Sequence, residues 1–404
     1  YEWSLDGEGE GLLVAGGSSM AVVSLPEGRF EVTLELRGGD QVRTLDEVVE
    51  VNDILIASIG DSFASGEGNP DAPGDPALWA DDGMEAGTLQ ELAHDVAHRS
   101  TLAGPVQAAL EIERSDPHTS VTFVFLAASG ASLEEGMIGA GREAMGGDGQ
   151  RRSLRPQLDQ LSELAGCSEQ GCQRRIDSLL ISAGGNDIGF SFALGSLILL
   201  DPNLVVNPIY GNLLNNLVSD IESEISDLPA TFTDLASAVE RLDPAAVYLT
   251  AYPDPSRVAA GGRLLACESI GADLVPGLEI DRDELEIVRE RVLEPLNDTL
   301  ESIAGAEGWV FVDGHVDAFS GHGYCGSDPY GGGSYTGSPY PDPLVLSSSQ
   351  DSRWFRQADD SVSIQGGGGA FRPDRLGTTG TFHPNEYGHQ AYKQALLDAL
   401  NIGL

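Results

Sequence analysis

The stretch ILIASIGDSFASGEG (residues 54–68) decides the fold. Its first six residues form a near-continuous apolar run of strand length. Gly60-Asp61-Ser62 follows at once, then Gly66 and Gly68, the residues of a tight turn leading into a helix. Further along the chain the run has four counterparts: VTFVFLA (121–127), SLLISA (178–183), AVYLTAY (246–252) and WVFV (309–312). Helix candidates stand between them near 104–114, 156–165, 232–242 and 281–304, and a last one, 385–400, follows Pro384. Strands that are apolar throughout, alternating with helices, indicate a parallel sheet buried on both faces. The expected architecture is α/β, with a central parallel sheet of about five strands.

Upstream the pattern changes. Val22-Val23, RFEVTLELR (29–37) and the stretch from Val42 to Val51 alternate apolar and polar residues, with Gly38-Gly39 between the last two runs. That is hairpin-type antiparallel structure. It is similar to the final strands of Ig-like or PKD-like repeats, yet about fifty residues are too few for a seven-strand sandwich. A fragment of a larger module and a small sheet packed on the next domain both fit. The expected division is a β segment over 1–52 and one α/β domain over 53–404. Segments 63–98 and 314–380 lack periodicity, and loops of that length carry function or are tied down.

Of the 404 residues, 41% are hydrophobic, which argues against disorder. Lys and Arg total 22 against 64 Asp and Glu, a net charge of −42, and Lys393 is the only lysine. Such a surface suits saline surroundings, where salt screens the mutual repulsion, or simply keeps an acidic protein soluble. Either way a nucleic-acid partner is excluded by repulsion from its phosphates. Four cysteines fit two disulfides in an oxidising compartment, Cys167–Cys172 around a small polar loop and Cys267–Cys325 across a long separation. Their spacing matches no zinc pattern. The chain opens on Tyr1 with no signal segment, so residue 1 reads as a processed or truncated start. The most apolar run, FSFALGSLILL (190–200), ends at Asp201-Pro202 and is too short to span a bilayer.

In open parallel sheets, ligands bind outside the carboxyl ends of the strands. Just past three predicted strands stand Gly60-Asp61-Ser62, Ser129-Gly130 and Gly184-Gly185-Asn186-Asp187. Ser62 alone would be read as a helix N-cap, and a serine becomes a nucleophile only with a base in reach. His383, before Pro384 and the last helix, is the candidate base; a helix N-terminus disfavours added positive charge and keeps an imidazole neutral. His389 on that helix reads as structural, and the other histidines have no comparable setting. The N–H groups of Ser62 and Gly130 and the side-chain amide of Asn186 are candidate oxyanion donors, although Gly-Gly-Asn-Asp is also a plain turn. Asp61, Asp187 and Asp254 read as turn-stabilising. The apolar stretch 190–218 fits an acyl pocket, a lid, or a pair of core helices equally well.

These motifs resemble a known family. GDSFASGEG (60–68) is similar to block I of the SGNH (GDSL) hydrolases, AASGAS (127–132) to block II, AGGNDIGF (183–190) to block III and HPNEYGHQAY (383–392) to block V. The set spans residues 54–400 in the family's order. AHRS (97–100) and YPDP (252–255) resemble stretches of the family's secreted actinobacterial-type esterases and lipases, with Ala97 in place of a cysteine, so one disulfide of that group is expected to be missing. The resemblance implies a flavodoxin-like three-layer α/β/α sandwich and hydrolysis of carboxylic esters through an acyl-enzyme on Ser62. It implies His383 as base, an oxyanion hole of Ser62, Gly130 and Asn186, and neither metal nor cofactor. The family usually has an Asp three residues before the histidine; here that position is Gly380. The backbone carbonyl of Gly380 is the expected orienting group, with Asp374 as the alternative. A secreted bacterial monomer from a saline environment, acting on a small-molecule or lipid ester, is expected. The alternatives are a polysaccharide deacetylase-type esterase and a non-catalytic extracellular binding or adhesion protein.

Overall fold

The computed structural model describes residues 1–7, 9–14, 19–20, 23, 25–69, 97–141, 143–145, 151–190, 208–257, 267–268, 279–280, 282–326, 352–357, 360–361 and 379–400. Strands β1 (Glu2–Gly7), β2 (Gly9–Val14) and β3 (Gly28–Gly38) lead to β4 (Gln41–Gly60), a strand of 20 residues. Helix α1 (Ser62–Ser65), helix α2 (Gly104–Ser115) and strand β5 (Thr119–Phe125) come next. Then follow the hairpin β6 (Glu143–Met145) and β7 (Arg151–Ser153), helix α3 (Gln157–Leu164), β8 (Ser178–Ser182), α4 (Pro208–Leu242) and β9 (Val247–Thr250). A second hairpin, β10 (Cys267–Glu268) and β11 (Glu279–Ile280), precedes α5 (Arg282–Val288), a π-turn over Arg289–Leu293, and α6 (Glu294–Glu307). The chain continues through β12 (Val310–Val312), α7 (Gly314–Ala318) and α8 (Glu386–Leu400).

Strands β12, β9, β8, β4 and β5 lie side by side in that order, and every neighbouring pair is parallel. Counted along the chain, the order is 2-1-3-4-5, the flavodoxin-like winding expected from the resemblance. Its switch point lies between β4 and its two neighbours, β5 and β8. Strand residues alternate between two buried faces, as a sheet covered on both sides requires. Leu55, Ala57, Ile59, Leu179, Ile181 and Leu249 join the core beneath α3, α4 and α6. Ile56, Leu180 and Tyr248 join the other, beneath α2 and α8. Helix α4 buries Val218, Ile221, Ile225, Leu228, Phe232, Leu235, Val239 and Leu242, a stripe spaced by three and four residues.

One expectation needs correction here. The helix sought near 232–242 begins at Pro208 and runs 35 residues through Pro229. A proline in a helix interior costs about 3 kcal/mol, and the continuous buried stripe outweighs it. The stretch 190–218 is thus divided: Phe190 and Val218 belong to the core, 208–218 opens α4, and 191–207 lie outside the described residues.

The first half of β4 pairs antiparallel with β3, from Gly38↔Gln41 to Gly28↔Val51, and its second half pairs with β5 and β8. Gly39, at φ +61°, and Asp40 form the turn of this ribbon. Side chains 41–48 are exposed and 55–60 are buried, so one strand passes from a solvated ribbon into the core. Position 52/53 falls inside it. Cys167 and Cys172 are disulfide-bonded. Cys325 is disulfide-bonded too, and the side chain of Cys267 lies outside the described residues. Ala97 is buried among Ala128 and Ala131. Among the described residues no helix is long and apolar enough to cross a membrane.

Candidate active site

The end of β4 is shaped by its neighbour. Gly60 has φ +139°, and a Cβ there would stand 2.3 Å from the carbonyl oxygen of Ser182, so only glycine lets the two strands run this close. The chain then turns sharply into α1. Asp61, not Ser62, is the cap: its Oδ1 accepts from Phe63 N–H at 3.1 Å and from Ser182 Oγ at 2.8 Å. Its other oxygen accepts from the hydroxyl of Tyr252, which in turn accepts from Gly185 N–H at 2.9 Å. Burial pushes Asp61 up to about 6, against the hydrogen bonds from Tyr252 and Ser182. Ser62 is therefore relieved of capping, and its hydroxyl is left for other contacts.

That contact is with His383, whose Nε2 lies 2.7 Å from Ser62 Oγ. The two residues are 321 positions apart and both are buried. Residues 380–383 form a turn closed by His383 N–H to Gly380 carbonyl at 3.0 Å, with Phe382 at φ +65°. A bulky residue in that region is strained and must be held by its surroundings. Phe382 stacks on Tyr324 at 4.0 Å between ring centres, and its N–H donates to Arg356 carbonyl at 3.0 Å. The ring Nδ1 meets the carbonyl of Thr381 at 3.2 Å, and the Gly380 carbonyl, which accepts the His383 main-chain N–H, hydrogen-bonds to the ring as well. A carbonyl only accepts, so Nδ1 carries the proton and the Nε2 lone pair faces the serine. Burial lowers the His383 pKa below its ordinary value, and the charge of Glu67 opposes the shift. Asp374, the alternative orienting group, lies outside the described residues. Pro384 stands before the first turn of α8, not in it, and Asn385 Oδ1 accepts from Tyr387 N–H at 3.0 Å and Gly388 N–H at 3.2 Å.

The other turns converge on the same rim. Ala128 N–H donates to Gly60 carbonyl, and Asp61 N–H to Ser182 carbonyl, each at 3.0 Å. Gly130 follows Ser129 in the turn after β5, and its N–H and that of Ser62 have no hydrogen-bond acceptor among the described residues. Asn186 Nδ2 donates to Ala131 carbonyl at 2.9 Å, which fixes the plane of its amide. Asp187 accepts from Leu133 N–H at 2.9 Å, and Asp254 from Ser256 N–H at 2.8 Å, both turn-holding contacts. His389, on α8, accepts from Gly104 N–H at 3.2 Å.

Sequence reasoning missed Glu67, His98, Tyr252 and Arg356. Glu67 and Arg356 are wholly buried, and His98 Nδ1 lies 2.6 Å from Glu67 Oε2. The first three stand in or beside GDSFASGEG, AHRS and YPDP, so their positions were visible. Their contacts join residues 31 to 312 positions apart and were not.

No family model matches the chain, and no curated protein matches it. Solved structures do. The extracellular lipase from Streptomyces rimosus superposes with a TM-score of 0.50 at 16% identity, covering 86% of this chain and 99% of that one. A family two carbohydrate esterase from Clostridium thermocellum, solved as an active-site mutant, matches at a TM-score of 0.30 and 13% identity, over 98% and 84% of the two chains. The fold rests on the first of these, together with the strand order and both buried sheet faces. The chain has the fold of an SGNH-type hydrolase.

Proposed function

We propose that the chain is a serine esterase that hydrolyses carboxylic esters through an acyl-enzyme on Ser62. The observation that carries this reading is the 2.7 Å contact between His383 Nε2 and Ser62 Oγ, with Nδ1 held by a carbonyl in the tautomer a base needs. His383 takes the Ser62 proton as the oxygen attacks the ester carbonyl. The developing oxyanion is met by the N–H groups of Ser62 and Gly130 and by the Asn186 amide. The imidazolium then protonates the leaving alcohol, and water repeats the sequence to release the acid. All proton transfers are made by this chain's own groups, and the reading requires neither metal nor cofactor. A secreted location agrees with the disulfide and with the extracellular origin of the similar lipase.

The test is hydrolysis of p-nitrophenyl esters of graded chain length. Ser62→Ala and His383→Ala are each expected to lower kcat by at least about 10³-fold while leaving the fold intact. Full turnover by Ser62→Ala contradicts the reading. A folded chain that turns over no ester of any length would favour a non-catalytic binding role.

A further inference from the structure

Glu67 is the residue the reaction above does not yet use. It lies five positions after the serine, wholly buried, at the point where three turns meet. Its Oε2 accepts from His98 Nδ1 at 2.6 Å and its Oε1 from Thr379 Oγ1 at 2.8 Å. The Ser129 side chain also hydrogen-bonds to it. Thr379 opens the turn that ends in His383, and Ser129 precedes Gly130. One carboxylate thus ties together the serine loop, the oxyanion turn and the histidine turn. Close packing keeps the loops in register: a Cβ on Gly68 would stand 3.2 Å from Gly380 Cα.

The charge itself calls for explanation. Burying a carboxylate costs several kcal/mol, and an amide could join the same three turns without that cost. The neighbouring buried cation has a carboxylate of its own. Arg356 is matched by Glu386 at 2.8 Å, and it also donates to the Gly68 carbonyl at 3.1 Å and to Asn69 Oδ1 at 2.9 Å. Burial works against the Glu67 charge, and the positive charges of His98 and His383 favour it. His98 holds φ +49° to reach it. His383, meanwhile, has a carbonyl behind its ring where a carboxylate would otherwise balance the imidazolium.

We propose that Glu67 is a positioning residue for the reaction read above, on which this inference rests. Its carboxylate holds the oxyanion and histidine turns against the serine loop and supplies, without touching the imidazole, the negative charge that stabilises His383 when it is protonated. Two buried or half-buried charges interact strongly where water is excluded, so direct contact is not required.

The experiment compares the full chain with Glu67→Gln and Glu67→Asp. It measures p-nitrophenyl acetate kinetics across pH and the NMR titration of the His383 ring in a Ser62→Ala background. Gln keeps the size and the acceptor for Thr379 and removes the charge. It is expected to lower kcat about tenfold or more with KM nearly unchanged, and to move the acid limb and the ring titration to lower pH. Asp keeps the charge and is expected to restore the acid limb while recovering only part of kcat. A folded Glu67→Gln protein with unchanged kcat and titration overturns the inference. If Gln does not melt cooperatively, Asp decides: a limb at its original pH supports the inference, and a limb moved to lower pH overturns it. The ring titration does not depend on turnover, so failure of the esterase reading, seen as activity surviving in Ser62→Ala, is distinguished from failure of this one.

Discussion

Three buried histidines show how one residue type is put to different uses. His383 keeps its Nε2 on a serine hydroxyl. His315 bonds the Ala251 carbonyl at 2.9 Å, and burial lowers it to about 4. His389 accepts from Gly104 N–H, and burial, with the charges of His383, Arg356 and His315, lowers it to about 3 from an ordinary 6.5. A histidine buried neutral contributes stability that is complete above its unfolded value. That contribution is lost as pH falls from 6.5 toward the folded value. Stability is therefore expected to fall with acid, and His389→Gln to flatten the slope by about 1.4 kcal/mol per pH unit between about pH 4 and 6. Denaturant unfolding across that range checks it; an unchanged slope would mean that His389 titrates normally in the folded chain.

At the scale of elements, what local pattern determines was legible and what long-range contact determines was not. The five parallel strands stand where unbroken apolar runs put them, because burial on both faces leaves no polar side to disguise the period. The turns that carry Ser62, Gly130 and Asn186 could be placed on one rim because they stand at the ends of such strands. Helix α4 was expected only near 232–242, whereas the stripe from Val218 to Leu242 carries it through Pro229. The expected Gly380 carbonyl is joined at the ring by that of Thr381, one residue on. A turn that puts Phe382 at φ +65° brings the carbonyls of both Gly380 and Thr381 to the ring. No residue type at 381 announces the second contact. Glu67 and His98 stood in quoted motifs, yet their partnership exists only after β4 and the loop before α2 have come together.

For the molecule as a whole, charge and architecture pull apart. The parallel sheet and its two helical layers need no special solvent, but −42 spread over 404 residues opposes any compact state. Raising ionic strength to about 1 M shortens the screening length to about 3 Å and removes most of that repulsion. The melting temperature is expected to rise markedly from low salt to molar NaCl, and a salt-independent Tm would leave solubility as the sole reading of the acidic surface. The ribbon of β1 to β3 belongs to this scale too: it is hydrogen-bonded to the same strand that carries the core, and we propose that residues 1–52 form a module attached through β4.

The central claim is that Ser62 is a nucleophile because His383 makes it one. Its most direct test is mass spectrometry of the chain after exposure to a fluorophosphonate. A single covalent adduct on the peptide containing Ser62, formed rapidly by the unaltered chain and at least about 10³-fold more slowly by His383→Ala, is predicted. An unmodified Ser62 in folded protein, or labelling that is equally fast without His383, would contradict it.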